Sequence, residues 1–129
     1  IILTCCNSCN PKLKFETTIL HYSTLIPYLV HKGTFEFKTI VGDELLESTF
    51  VRDENYEIET FNGKIDSASI RWVNPCECIL TKLNPTSNQD KRPLSIKILT
   101  TNKNQYTFEY AIVGDKKNIQ RGTVTKIDN

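Results

Sequence analysis

From the stretch GTFEFKTI onward, hydrophobic and polar residues alternate with a period of two. Phe35 and Phe37, for example, lie on either side of Glu36. This alternation is typical of a β-strand that buries one face. Similar stretches recur between clusters of turn residues, among which Asn62-Gly63 is the strongest hairpin signal. The pattern predicts about eight strands, at 33–40, in the stretch ending at 51, and at 56–61, 67–73, 76–83, 94–100, 106–113 and 120–127.

These strands are joined mainly by short turns, and no helical period lies between them. Parallel strands would need long crossovers, so we expect an antiparallel sheet. Eight meandering antiparallel strands often curl into a closed or partly open barrel, which removes exposed sheet edges. We therefore predict an all-β domain over residues 33–129, built as an up-and-down barrel, with an antiparallel β-sandwich as the alternative.

Residues 11–32 precede the alternating region and show no single period. Their apolar residues fit either a short helix or an extended segment, and Pro27 argues against one continuous helix. We predict an irregular or short helical N-terminal lead-in at 11–32.

The composition is that of one soluble globular domain. The 129 residues are 39% hydrophobic and 24% charged, and the formal net charge is +1. A nearly neutral chain has no general reason to bind a polyanion, so we expect no nucleic-acid partner. The segment 36–66 is mainly acidic and the rest of the β-domain mainly basic. This asymmetry favours a solvated outer face with cross-strand ion pairs, and a polar binding face is the alternative.

The first ten residues, IILTCCNSCN, resemble the end of a secretory signal that runs into a bacterial lipoprotein cleavage site. The chain contains no methionine, so we expect it to follow a removed segment. At such a site the cysteine becomes the lipidated N-terminus, which makes Cys5 and Cys6 the predicted lipidation residues. Residues 1–10 would be a signal remnant and tether, and a lipid anchor would make the membrane surface a partner. The predicted location is the cell envelope, as a periplasmic or outer-membrane lipoprotein, or outside the cell; the alternative is a chain that starts at a buried strand.

The other cysteines include a pair in NPCECIL. Cys76 and Cys78 would lie on one face of a strand, where a disulfide between them would close a strained ring. We predict that at least one is a buried free thiol, and that Cys9 is the available partner if the other is oxidised. No cysteine or histidine spacing matches a structural zinc site, so we predict no metal and no cofactor.

The sequence contains no recognised catalytic motif, and we predict that the protein is not an enzyme. Glu57 and Glu59 would share one strand face about 7 Å apart, a separation that glycosidase carboxylates tolerate. They alternate with Tyr56 and Ile58, however, so a solvent-facing acidic stripe is the favoured interpretation.

An aromatic row lies on one face of the seventh predicted strand, formed by Tyr106, Phe108 and Tyr110. It could be core, it could line a ligand-binding interior, or it could stack nucleic-acid bases if exposed. Trp72, the only tryptophan, either anchors the core or lines a pocket at the mouth of a barrel. These four residues are the predicted ligand contacts.

Three stretches together carry a family resemblance: GTFEF (33–37), IRWVNPCECIL (70–80) and RGTVTKI (121–127). Over about residues 33–127 the chain resembles a group of small secreted or lipid-anchored proteins of Bacteroidota. The resemblance implies a lipocalin-like, up-and-down β architecture with no established activity and no catalytic residues. Similar proteins often have an aromatic residue where this chain has Cys78.

Two functions are compatible with these observations. The first is a non-enzymatic binding module of the cell envelope that accepts a small apolar ligand in or at the mouth of the barrel. The second is a protein-interaction or inhibitor module of the immunity type. It would use the acidic 36–66 surface, including Glu57 and Glu59, to meet a basic partner.

Overall fold

The computed structural model describes residues 2–4 and 27–128. Within them, nine strands form one antiparallel sheet, and a five-residue π-helical turn, Pro27–His31, precedes the second strand. The strands are β1 (Ile2–Thr4), β2 (Gly33–Val41), β3 (Glu44–Arg52), β4 (Tyr56–Phe61), β5 (Lys64–Asn74), β6 (Glu77–Lys82), β7 (Leu94–Asn102), β8 (Gln105–Ile112) and β9 (Gln120–Lys126).

Strands β2 to β9 follow one another in an up-and-down meander, each antiparallel to the next. The sheet closes because β9 also pairs with β2, with Phe37 opposite Val124 and Phe35 opposite Lys126. The predicted eight-stranded antiparallel barrel is confirmed, and the alternative sandwich is not formed. Each predicted strand is present close to its predicted bounds.

The hairpin predicted at Asn62-Gly63 joins β4 to β5. The φ angles there are 49° for Asn62 and 75° for Gly63. Positive φ at both central residues is the requirement of a type I′ turn, which asparagine and glycine meet with little strain. This turn fixes the register of β4 against β5.

The sheet is interrupted at Pro75, as predicted, but by a turn. Pro75 and Cys76 form the two-residue connection between β5 and β6. The bulge lies earlier, where the register with β6 shifts between Trp72 and Asn74. Because proline has no amide hydrogen, a turn position removes no hydrogen bond from the ladder. Cys76 therefore lies outside the strand on which Cys78 lies, and the prediction of two cysteines side by side on one strand is wrong.

The N-terminal predictions fall mostly outside the described residues. Cys5, Cys6 and Cys9 lie there, as does the lead-in up to residue 26, so lipidation and tethering stay predictions. Strand β1 pairs with the end of β7. No helix in the described residues is long and apolar enough to span a membrane.

One end of the barrel is filled and the other is not. We call the end that carries Pro27–His31 the closed end. The opposite end, beside the loop 83–93 between β6 and β7, we call the mouth. The buried apolar residues of the barrel are Val30, Phe35, Phe50, Ile70, Cys76, Cys78, Leu80, Ile96, Ile98, Tyr106, Phe108 and Val124.

Candidate functional site

The barrel contains a cavity of about 450 Å³. This volume is within the range of pockets that hold small organic ligands. Its walls differ in chemistry. The apolar lining includes Phe37, Phe50, Leu80, Leu94, Ile96, Phe108, Ile112 and Val124, and the charged lining consists of Arg52, Glu57, Glu59, Asp66, Lys82, Asp90 and Arg92.

Strand β4 has the opposite orientation to the one predicted. Glu57 and Glu59 line the cavity, whereas Tyr56 is 47% and Ile58 48% exposed on the outside. The predicted solvent-facing stripe is therefore wrong. The reason is the register with β3, because directly opposed residues share a face and Glu57 lies opposite Arg52. The partner-binding role predicted for the two glutamates depended on an outer acidic face that they do not form.

Arg52 organises the closed end. Its Nε donates to Glu57 Oε2 at 2.8 Å, and its Nη2 lies 2.6 Å from the same oxygen. Its Nη1 donates to the carbonyl of Val30 at 2.7 Å. A longer bond of 3.4 Å joins Nη1 to the hydroxyl of Tyr106. The guanidinium also lies 5.1 Å from the ring centroid of Phe50, within the range of a cation–π contact. The charge of Arg52 is thus fully engaged within the protein.

The π-helical turn seals this end. Val30 is completely buried, and its carbonyl accepts the Arg52 hydrogen bond described above. His31 Nε2 donates to the carbonyl of Pro75 at 2.9 Å, and the imidazole stacks on Trp72 with a centroid separation of 3.6 Å. Burial lowers the pKa of His31, although the bond to Pro75 opposes the shift.

Trp72 therefore belongs to the closed end. It stacks on His31 and contacts Arg52, with 5.7 Å between the guanidinium carbon and the ring centroid. Its indole Nε1 is buried without a hydrogen-bond partner among the described residues. Trp72 is absent from the cavity lining. The structure therefore places it with the core, which is the first of the two roles predicted for it.

The aromatic row of β8 faces inward, as the alternation predicts. Tyr106, Phe108 and Tyr110 all line the cavity, and that they contact a ligand stays a prediction. Burial raises the pKa of Tyr106 to about 12, so its hydroxyl keeps its proton at neutral pH. Tyr110 is nearer the mouth, where its hydroxyl donates to Gln120 at 2.6 Å.

Gly122 makes space for the aromatic wall. Phe37 and Phe108 pack edge to face, with 5.8 Å between their ring centroids. A Cβ atom at Gly122 would lie 2.6 Å from Phe37 Cε2 and 3.1 Å from Phe108 Cε1. The absence of a side chain at this position of β9 therefore allows both rings to occupy the wall of the barrel.

Glu59 occupies the middle of the cavity wall. Its Oε2 accepts a hydrogen bond from Ser48 Oγ at 3.3 Å, and its cross-strand neighbour on β5 is Asp66. Burial raises the pKa of Glu59, and the negative charge of Glu57 adds to the shift. A carboxylate held here is electrostatically unfavourable.

The two cysteines of NPCECIL differ in state. Cys76 is disulfide-bonded, and Cys78 is a buried free thiol. Burial raises the pKa of Cys78 to about 12, so the thiol is protonated and packs as a small apolar side chain. The prediction of at least one buried free thiol is confirmed. The described residues contain no group of three or more histidine, cysteine, aspartate or glutamate side chains arranged to hold a metal ion.

Sequence reasoning missed the charged residues that define the site. Arg52 follows Ser48 and Phe50 at the spacing of one strand face, so alternation alone could have placed it inside. Asp66 and Lys82 also lie on inward positions. The loop residue Asp90, which pairs with Lys82 at 3.4 Å, carries no comparable signal.

Fold and cavity together define a closed, eight-stranded, antiparallel barrel with an internal space large enough for a ligand. No protein-family model, curated protein or solved structure matches the chain. The resemblance to lipocalin-like proteins of Bacteroidota therefore stays a prediction.

Proposed function

We propose that the protein is a non-enzymatic binding protein that holds a small, largely apolar ligand inside its barrel. The observation that carries this proposal is the cavity of about 450 Å³, lined on one side by aromatic and aliphatic side chains. Burying apolar surface of a ligand against such a wall is favourable by about 25 cal/mol per Å² before the costs of binding are subtracted.

The difference between the two ends of the barrel supports entry of the ligand at one end only. The closed end is sealed by Val30, Trp72 and the fully engaged Arg52. The mouth is bordered by the 83–93 loop, whose Gln89 and Asp90 belong to the cavity lining. A ligand would enter at the mouth and place its apolar part deep in the barrel.

We also propose that the protein acts outside the cytoplasm, in the cell envelope or secreted. The disulfide at Cys76 supports this location, because structural disulfides form mainly in oxidising compartments. The cysteine pattern at the N-terminus supports attachment to a membrane surface by lipid.

A dye titration with a matched pair of variants tests the binding function. N-phenyl-1-naphthylamine, a neutral apolar dye that fluoresces in dry surroundings, should bind the protein saturably. Ala68→Leu fills the cavity, since Ala68 lines it, and should weaken dye binding at least about tenfold, equivalent to 1.4 kcal/mol.

Thr49→Leu is the control, because it adds a similar apolar side chain on β3 between the inward residues Ser48 and Phe50. Thr49 is exposed on the outer face, so dye binding should be unchanged. Absence of saturable binding, or equal loss in both variants, would refute the proposal of a ligand-binding barrel interior.

A further inference from the structure

The cavity has a negative wall whose charges are only weakly offset by the described basic residues. Glu59 of β4 and Asp66 of β5 are directly opposed cross-strand partners, and both line the cavity. Side chains in such a pair have Cβ atoms about 5 Å apart, and like charges placed there are destabilising. A sequence selected for stability alone would not favour this pair.

The bases of the cavity are engaged elsewhere. Arg52 pairs with Glu57, and Lys82 pairs with Asp90. Arg92 is exposed, and its charge acts on Asp115. Lys82 lowers the pKa of Glu59, but its effect is smaller than those of burial, Glu57 and Asp66, which raise it.

Among the described residues, Asp66 forms one ion pair, and it is a weak one. Lys64 Nζ lies 4.0 Å from its carboxylate, and both side chains of this pair are substantially exposed. Such a contact is screened by water and contributes little. Glu59 and Asp66 therefore give the cavity an excess of negative charge on the face that a ligand would meet.

From this arrangement we propose that the cavity selects an amphipathic amine. This inference rests on the proposed binding function and adds the chemical class of the ligand. The ammonium group lies between Glu59 and Asp66, where two carboxylates supply charge-assisted hydrogen bonds. The apolar part of the ligand packs against Phe37 and Phe108, whose ring faces are also favourable neighbours for a cation.

The same geometry disfavours an anionic ligand such as a fatty acid. A carboxylate at the closed end would have to displace Glu57 from Arg52, leaving a buried charge without a partner. A carboxylate nearer the mouth would face Glu59 and Asp66. The apolar side chains beside these carboxylates favour a cation that carries an apolar group.

Three ligands that share one chain and differ in head group test the proposal. Octylamine, octanol and octanoate at pH 7 carry positive, zero and negative charge, and calorimetry gives their affinities directly. Octylamine should bind at least about tenfold more tightly than octanol, as expected for a charge-assisted hydrogen bond, and octanoate should bind most weakly.

Neutralising the wall should remove this preference. In the double variant Glu59→Gln with Asp66→Asn, octylamine should bind no more tightly than octanol, while the affinity for octanol stays the same. The control double variant, Asp43→Asn with Glu47→Gln, makes the same charge change at exposed positions and should keep the order of the three ligands.

The possible outcomes separate the two proposals. If none of the three ligands binds, the ligand-binding function itself is wrong, and the amine proposal falls with it. If all three bind with similar affinity, or octanoate binds best, the barrel interior binds ligands but the amine proposal is refuted. Persistence of the amine preference in the double variant would also refute it.

Discussion

Acidic side chains are neutralised by a base at the closed end of the barrel but lie opposite one another in its middle. At the closed end, Arg52 and Glu57 neutralise each other, and the remaining donors of Arg52 are satisfied by Val30 and Tyr106. One position further along the inner face of β4, Glu59 lies opposite another acid, Asp66, beside an open cavity. Strand β4 thus carries both a satisfied charge, that of Glu57, and an unsatisfied one, that of Glu59. We infer that the first stabilises the closed end and propose that the second determines which ligands the cavity attracts.

The largest expected effect comes from breaking the satisfied pair. Arg52→Met leaves Glu57 buried without a counter-charge and removes the bond to Val30. Removing one partner of a buried pair typically costs about 3–5 kcal/mol of unfolding free energy. Urea unfolding followed by tryptophan fluorescence measures this loss through Trp72, which lies at the same end.

A companion variant separates the lost charge from lost packing. Arg52→Met combined with Glu57→Gln removes both charges and should recover a substantial part of the stability, because no isolated ion is left. An unpaired buried charge typically costs several kcal/mol. A change of less than about 1 kcal/mol in the free energy of unfolding of Arg52→Met alone would therefore contradict the role of Arg52 at the closed end.

The next largest effect should come from the aromatic wall of the cavity beside Gly122. Gly122→Ala places a Cβ atom 2.6 Å from Phe37, and overpacking of this kind typically costs about 1–3 kcal/mol. Because the displaced ring lines the cavity, binding of the naphthyl dye should weaken as well. Thermal unfolding and dye titration on the same samples measure both.

Thr123→Ala is the control on the same strand, since Thr123 is exposed on the outer face. Its unfolding free energy should change by no more than about 0.5 kcal/mol. A Gly122→Ala protein as stable as Thr123→Ala would show that the ring contacts at Gly122 are not tight.

The smallest effect should come from the unsatisfied pair, and its sign is opposite. Glu59→Gln removes a like-charge repulsion with Asp66 and should raise the unfolding free energy at pH 7 by about 0.5 kcal/mol. Glu47→Gln, at an exposed position, serves as its control. A clear loss of stability in Glu59→Gln would contradict the interpretation of Glu59 as an unsatisfied charge.

The pH dependence of stability is a second test of the interpretation of Glu59. Burial, with the charge of Glu57, raises the pKa of Glu59 in the folded protein above its unfolded value. Between these two pKa values the folded state binds more protons, so this residue lowers stability as pH rises through that window. Urea unfolding across this range should show that decline in the wild type and a smaller one in Glu59→Gln.

The architecture could be predicted because its signals are local. Alternation and turn residues such as Asn62-Gly63 determine strands and hairpins within a few neighbours along the chain. The inward face of β4 could not be predicted in the same way. Its local pattern favours Tyr56 and Ile58 as core residues, and only the register of β4 against Arg52 on β3 reverses that choice.

The candidate site was predictable only in part. Tyr106, Phe108 and Tyr110 follow from alternation on one strand, whereas the stacking of His31 on Trp72 joins residues far apart in sequence. The cavity depends on the total volume of the inward side chains of many strands, and on the missing side chain at Gly122. No local stretch of sequence determines that total. The sign of the net charge in the cavity likewise depends on which acids form ion pairs with bases on other parts of the barrel.

Intermolecular NOEs to bound octylamine test the central claim most directly. We predict contacts from the alkyl chain to the ring protons of Phe37 and Phe108, and contacts from the methylene beside the nitrogen to the side chain of Glu59. Contacts instead to Val51 and Ile58, which are exposed on the outside of the barrel, would show surface binding and contradict the account.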